Sequence, residues 1–319
     1  MRKFALSVFI VFICLAGAYA FIGASPAARL PWDDTSRTRW PAEFKAVDIP
    51  AQDGSQQKAY FHRAAGPAPL LVSLHTWSGD WTQRDVLAQK ALERGWSYLH
   101  PDIHGPNTRP EACLSDLVFD DIERAIAYAR AEADVTAVYV VGASGGGYAA
   151  LGAWLASAQP IDKVFAWVPI TDLEAWYHQS RARNTQYAAD ILACTGSGQS
   201  LDVAAARARS PLYLTARPPL DRTLALYAGI RDGHEGAVPI SHSLDFFNMI
   251  AEERGGQALS ARTTGSLLSL GQQPLDVRLD DREVIFQAEA PNIALTIFGG
   301  THEMLVNAQV AEIEALVSQ

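Results

Sequence analysis

The stretch Val138–Ala156, VYVVGASGGGYAALGAWLA, opens as an apolar run, breaks into six small residues, and resumes with a different hydrophobic period. A run of branched and aromatic residues suits a strand buried on both faces, and the spacing after Gly147 suits a helix. One serine, Ser144, stands at the junction between Gly142-Ala143 and Gly145-Gly146. Two uses of such a junction compete: a tight turn that needs only small residues, or a turn built to hold one hydroxyl in an unusual backbone conformation.

Working outward, Phe44–Ala51 and Lys58–Ala64 alternate like two early strands that pair antiparallel across the turn Asp53-Gly54. Leu70–Leu74 is a nearly continuous apolar run, and Trp96–His100 follows as a strand after a helix predicted over Thr82–Arg94. A Pro/Gly-rich loop through Pro110 leads to a helix at Leu117–Ala131. Strand Ala137–Val141, helix Gly147–Ala158 and strand Lys163–Val168 continue the alternation. After an irregular excursion come strand Thr223–Ala228, a helix near Ser241–Arg254 and strand Ile293–Phe298, while Asp276–Ala288 alternates like a small hairpin near that last strand. Strands alternating with helices predict a mostly parallel, twisted α/β sheet with right-handed crossovers and helices on both faces. Residues 172–220 lack a strong strand and read as a cap-like insertion.

In this frame Ser144 sits at a strand-to-helix turn with the spacing G-x-S-x-G. The close approach of strand and helix admits only small residues two positions before and after the serine, and the hydroxyl then projects at the carboxyl edge of the sheet. The helix N-terminus places the Gly145 N–H where a developing oxyanion can be held. A phosphate loop does not fit: the glycine spacing is not G-x-G-x-x-G and no lysine follows.

A serine hydroxyl needs a base oriented by a carboxylate. Two strand ends supply both in the order acid then histidine: Asp232 in Gly229–His234, and His302 in Gly299–Glu303. Glu235 is a rival acid, and an ordinary Asp-Gly turn is the alternative use of Asp232. The second oxyanion donor is expected after the strand Leu70–Leu74, from the Trp77 N–H, with Thr76 as fallback. His100 and His104 flank Asp102 at a spacing that suits a metal, but no third clear ligand follows, so neither metal nor organic cofactor is expected. His234 and His242 read as structural or substrate-side residues.

The chain has 319 residues, of which 49% are apolar, with a formal net charge of −9 and no run of basic residues. It is long enough for one large core, and a nucleic-acid surface is not expected. Arg2 and Lys3 precede the apolar run Phe4–Leu15, and Ala18-Tyr19-Ala20 supplies the small residues of a signal-peptidase site. Residues 1–20 therefore read as a signal peptide, with 21–319 as a single exported domain, periplasmic or secreted. The alternative is an uncleaved membrane anchor, because no charge falls between Phe4 and Ala28. Export leaves Cys113 and Cys194, an even count in an oxidising compartment, for which a disulfide is expected; two free thiols are the alternative.

On these motifs the chain resembles the α/β-hydrolase superfamily, and within it the prolyl-oligopeptidase-like and carbohydrate-esterase branches. Gly142–Gly146 resembles their nucleophile elbow, the Asp232 loop with Val238-Pro239 their acid turn, and Gly299–Glu303 their histidine loop. More narrowly, Leu74–Asp80 (LHTWSGD), Asn107–Cys113 (NTRPEAC) and Val238–Ser243 (VPISHS) are similar to exported bacterial esterases acting on pectin. The resemblance implies a serine esterase in which Ser144 attacks an ester carbonyl, His302 shuttles the proton, Asp232 orients His302, and the Gly145 and Trp77 N–H groups hold the oxyanion. Its substrate would be an esterified polysaccharide such as methyl-esterified pectin, with Arg109 and Arg231 as cationic contacts for neighbouring carboxylates or, equally, as loop anchors. The alternatives are a carbohydrate acetylesterase, a small serine peptidase, or an inactive hydrolase fold that only binds. The resembling oligopeptidases carry a propeller that the roughly 40 residues before the first strand cannot build, so peptide specificity is not expected.

Overall fold

The computed structural model describes residues 32–319 apart from Thr38 and Leu220, so the signal-peptide reading of residues 1–20 lies outside the described residues. The first half contains β1 (Asp34–Arg37), β2 (Lys45–Pro50), β3 (Gln56–His62), β4 (Ala68–Leu74), β5 (Gln83–Arg84), α1 (Val86–Glu93), β6 (Ser97–Pro101), α2 (Asp116–Glu132), β7 (Val135–Ala143) and α3 (Gly145–Ala156). There follow β8 (Lys163–Trp167), α4 (Leu173–Ala182), α5 (Tyr187–Cys194), α6 (Val203–Ala208), β9 (Thr223–Gly229), α7 (Ser241–Glu253) and α8 (Ala261–Leu268). The chain ends with β10 (Arg278–Leu279), β11 (Arg282–Ala290), β12 (Ile293–Phe298) and α9 (Val306–Val317).

A ten-stranded sheet runs in the order β10-β11-β12-β9-β8-β7-β4-β6-β3-β2. Its centre, from β12 through β6, is parallel, and both margins are antiparallel. The alternation of side chains divides the core into two layers. Leu70, Val72, Leu74, Val138 and Val140 meet the layer that holds α2, α3 and α7, through Ile122, Trp154 and Phe246. Leu71, Tyr139, Val141 and Trp167 meet α1 and α9 on the opposite face, through Leu87, Ala91, Val310 and Ile313. Parallel strands covered on both faces must be apolar at every position, and all seven residues of β4 are buried.

Where the chain departs from the periodic reading, local pairing is the cause. The helix expected from Thr82 begins at Val86, because Gln83 and Arg84 pair with β1 and the Asp85 carboxylate caps the helix by accepting from the Leu87 N–H (2.8 Å). The hairpin expected over Asp276–Ala288 forms between β10 and β11, and β11 then continues to Ala290 as the antiparallel neighbour of β12. The insertion 172–220 folds into α4, α5, α6 and a short 3-10 turn at Pro211–Tyr213. A disulfide between Cys113 and Cys194, with Cα atoms 5.9 Å apart, joins α5 to the loop that follows β6. Among the described residues no helix is long and apolar enough to cross a membrane.

Candidate active site

Ser144 is the N-cap of α3, with φ 56° and ψ −117°, a conformation that L residues adopt only when their surroundings enforce it. The enforcement is visible in the adjacent glycines. A Cβ on Gly142 would sit 2.1 Å from the Gly146 carbonyl oxygen, and one on Gly146 would sit 2.3 Å from the Leu74 carbonyl oxygen. Strand, turn and helix are therefore in backbone contact, and the turn can close only with glycine at both places. The serines that cap α2 and α8 work for their helices: Ser115 accepts from Val118 N–H and Ser260 from Thr263 N–H. Ser144 makes no such cap bond. Its hydroxyl is left for other chemistry, and it borders a cleft of about 200 Å³ together with His302, Trp77, Thr76, Ser78, Asp33, Thr35, Gln186 and Tyr187.

The histidine reaches this cleft from the turn after β12, and the carboxylate from the turn after β9. The two strands are parallel neighbours, so their ends are level. Ile230 N–H donates to the Phe298 carbonyl (2.8 Å) and Arg231 N–H to the Gly300 carbonyl (3.0 Å), which knits the two turns together. His302 Nδ1–H donates to Asp232 Oδ2 at 2.7 Å, while Asp232 Oδ1 accepts from the Val238 N–H at 3.0 Å. Asp232 is buried. With Nδ1 donating to the carboxylate, Nε2 is the ring nitrogen left to accept a proton. Gly236 lets the acid loop close over this pair: a Cβ there would lie 2.3 Å from Asp232 Oδ1 and 2.6 Å from His302 Cβ. Glu235 instead forms an ion pair with Arg231 at the surface.

The oxyanion side is equally close-packed. A Cβ on Gly145 would lie 2.3 Å from the Trp77 nitrogen and 2.4 Å from its Cα, so the main chains that carry the two candidate N–H donors are in close contact. Neither donates to another described residue. The fallback donor is occupied: Thr76 N–H donates to Gln83 Oε1 (2.9 Å). The indole of Trp77 is buried, donates from Nε1 to Asp190 Oδ2 (3.2 Å), and lies edge-on to Trp176.

The structure does not bring the two proposed cationic contacts into the cleft. The Arg109 guanidinium donates from Nε and Nη2 to the His104 carbonyl (3.1 and 2.6 Å), anchoring its own loop, and Arg231 is engaged with Glu235. Neither lines the cleft, whose described lining carries the carboxylate of Asp33 and no lysine or arginine. His100 Nδ1–H donates to the Ser73 carbonyl (2.7 Å) and His104 meets Asp121 (2.5 Å), so the two rings serve separate partners. No group of three or more His, Cys, Asp or Glu among the described residues could hold a metal ion. His242 is buried, accepts at Nδ1 from the Thr171 N–H (3.1 Å) and donates from Nε2 to Gln179 Oε1 (3.0 Å). Burial, with the Arg183 charge nearby, pushes its pKa down to about 3. His234 is exposed.

Several contributors were not foreseen. Trp32 packs its ring edge-on against His302, with centroids 5.7 Å apart. Glu303, adjacent to His302, accepts from Thr301 N–H (3.2 Å) and from Arg282 Nη2 (3.0 Å), which pins the histidine turn to β11. Asp190 and Tyr187 come from α5; burial, reinforced by Asp33 and Asp190, raises the Tyr187 pKa above its ordinary value. The glutamate after His302 was a readable signal, whereas Trp32 and Asp190 lie in stretches without a periodic pattern.

No protein-family model matches the sequence, and no curated protein matches it. Its shape is similar to solved structures. An acylaminoacyl peptidase from Pyrococcus horikoshii superposes with a TM-score of 0.59 at 14% identity over 86% of this chain. A Mycobacterium tuberculosis puromycin-hydrolyzing peptidase gives 0.57 at 18% over 86%. The chain spans 40% and 38% of the lengths of those two proteins. An esterase from Pyrococcus furiosus gives 0.56 at 13% identity, over 90% of this chain and 97% of the esterase. These likenesses, with the mostly parallel sheet flanked by helices, show the α/β-hydrolase fold.

Proposed function

We propose that the protein is a serine hydrolase acting on carboxylic esters, with Ser144 as nucleophile, His302 as general base and acid, Asp232 as the orienting carboxylate, and the Trp77 and Gly145 N–H groups as the oxyanion hole. The observation that carries this reading is the convergence in one cleft of a strained, uncapped serine, a carboxylate-held histidine and two unengaged N–H donors. His302 Nε2 takes the Ser144 proton as Oγ attacks the ester carbonyl; the negative charge that develops on the carbonyl oxygen is met by the two N–H groups. Collapse of the adduct expels the alcohol, which receives the proton from His302. Water, deprotonated by the same ring, then releases the acid and restores Ser144. Esters and amides are both within reach of such machinery, and the similarity to folds of peptidases and of an esterase leaves the leaving group to be decided by assay.

The substrate class we propose is an esterified polysaccharide. Hydroxyls of Thr35, Ser78 and Tyr187 and the Gln186 amide line the cleft, which suits a polyol. No lysine or arginine stands among the described residues of that lining, which supports an acylated neutral sugar. A methyl-esterified pectin is the second reading, in which the residues flanking the scissile ester are esterified too, because no described residue of the lining offers a cation to a free uronate. The apolar N-terminal stretch and the Cys113–Cys194 bridge support export to an oxidising compartment. Methanol and acetate release from a panel of acetylated xylans and pectins of graded methylation tests the substrate reading. Release of neither from any member contradicts it.

A further inference from the structure

The oxyanion donor Trp77 is gripped from two directions. Its carbonyl oxygen accepts from the Asn107 main-chain N–H at 2.9 Å and from Asn107 Nδ2 at 3.3 Å. Asn107 Oδ1 in turn accepts from the Cys113 N–H at 2.8 Å. The Trp77 indole is held by Asp190, which lies one helical turn before Cys194 on α5. The disulfide that joins Cys113 to Cys194 thus connects both grips on one residue, the carbonyl side through the loop after β6 and the indole side through the cap.

That loop does not hold its shape cheaply. Ile103, His104, Cys113 and Leu114 all have positive φ, at 38°, 65°, 55° and 49°. Non-glycine residues enter this region only against steric resistance, and a β-branched residue such as Ile103 tolerates it least. A loop under such tension keeps one geometry only while its surroundings enforce it. Cys113, itself one of the strained residues and completely buried, is where the covalent restraint enters. The Trp77 N–H must stay aimed at a point shared with the Gly145 N–H, and a donor displaced by even a fraction of an ångström stabilises the transition state less.

We propose that Asn107 is a positioning residue of the oxyanion hole and that the Cys113–Cys194 bridge keeps it in place, so that breaking either link lowers turnover without unseating the substrate. The inference rests on the assignment of Trp77 as an oxyanion donor, and it adds a role for a residue and a bond that touch no substrate atom.

The test compares Asn107→Ala, Asn107→Asp, Cys113→Ser/Cys194→Ser and the triple variant with the wild type on one ester. Active sites are counted by fluorophosphonate titration, so that misfolded protein is excluded from the rate per site. The expected result is a loss in kcat of about tenfold or more with KM changed by less than about threefold, because the donor acts mainly in the transition state. Inhibition by a trifluoromethyl ketone, which forms a tetrahedral adduct, weakens in parallel. Asn107→Asp keeps an acceptor for the Cys113 N–H but removes the Nδ2 donor, so it remains impaired; a loop that only needed tying to Cys113 would be rescued by it. The triple variant falls little further than the worse of its parents, since both changes act through one element. Wild-type kcat per titrated site in the variants, rescue by Asn107→Asp, or fully additive losses would overturn the proposal. Ester turnover by the wild type that Ser144→Ala abolishes establishes the underlying reading independently of the Asn107 outcome.

Discussion

His302 Nδ1 and Asp232 Oδ2 stand 2.7 Å apart, and the other oxygen of the same carboxylate is tied to the Val238 N–H. The carboxylate is thus fixed by main chain on one side and fixes the ring on the other, which commits Nε2 to face the cleft. Asp232→Asn keeps an acceptor for Val238 but presents an amide to Nδ1, favouring the wrong tautomer. It should lower kcat by about 10⁴-fold, by analogy with triads of this kind, while changing KM little. Steady-state kinetics on any turned-over ester decides it; a variant retaining a tenth of the activity would remove Asp232 from the triad.

The turn at Ser144 predicts its own fragility. Gly146→Ala must move either the helix or Leu74, because the new methyl meets a main-chain carbonyl at 2.3 Å and not a side chain that can rotate away. We expect a loss of about 1–3 kcal/mol, typical of overpacking, seen as a lower Tm by calorimetry. A variant as stable as the wild type would mean that the strand and helix are not in the contact described.

Acid stability should report on His242. Folded, the ring takes a proton only near pH 3; released, it takes one at its ordinary 6.5. The unfolded chain therefore binds more protons within that window, and stability falls as pH drops from about 6.5, by up to ~1.4 kcal/mol per pH unit. Buried His100, also lowered, acts in the same direction. His104 acts oppositely: Asp121 raises its pKa, and the stability it contributes below 6.5 is lost as pH rises through the raised value. His242→Gln should flatten the fall in urea midpoint between pH 6.5 and 4, and an unchanged slope would contradict the assignment.

How much of this was legible before the structure depends on what each residue is paired with. Ser144 could be read because a buried strand and a buried helix meet there, and the clash at Gly142 and Gly146 leaves only small residues possible. Asp232 and His302 could be read because each directly follows a strong apolar strand, and parallel neighbouring strands bring their ends level. By contrast, β1 and β5 are four and two residues long, too short to show a period, so Gln83 and Arg84 were absorbed into a helix. Trp32 and Asn107 belong to irregular segments, and Asp190 to α5, a helix of eight residues within an insertion that shows no clear period. For Arg109 and Arg231 the sequence indicates loops that lead toward the site, but the direction of each guanidinium is decided by local acceptors, the His104 carbonyl and Glu235.

A nucleophilic Ser144 activated by His302 should react with an electrophile that labels serine hydrolases. Incubation with a fluorophosphonate, followed by intact-mass and peptide mass spectrometry, tests it most directly. Stoichiometric modification is expected on the peptide containing Ser144, strongly slowed in His302→Ala and absent in Ser144→Ala. A folded wild-type protein that remains unmodified, or carries the label on another serine, would contradict it.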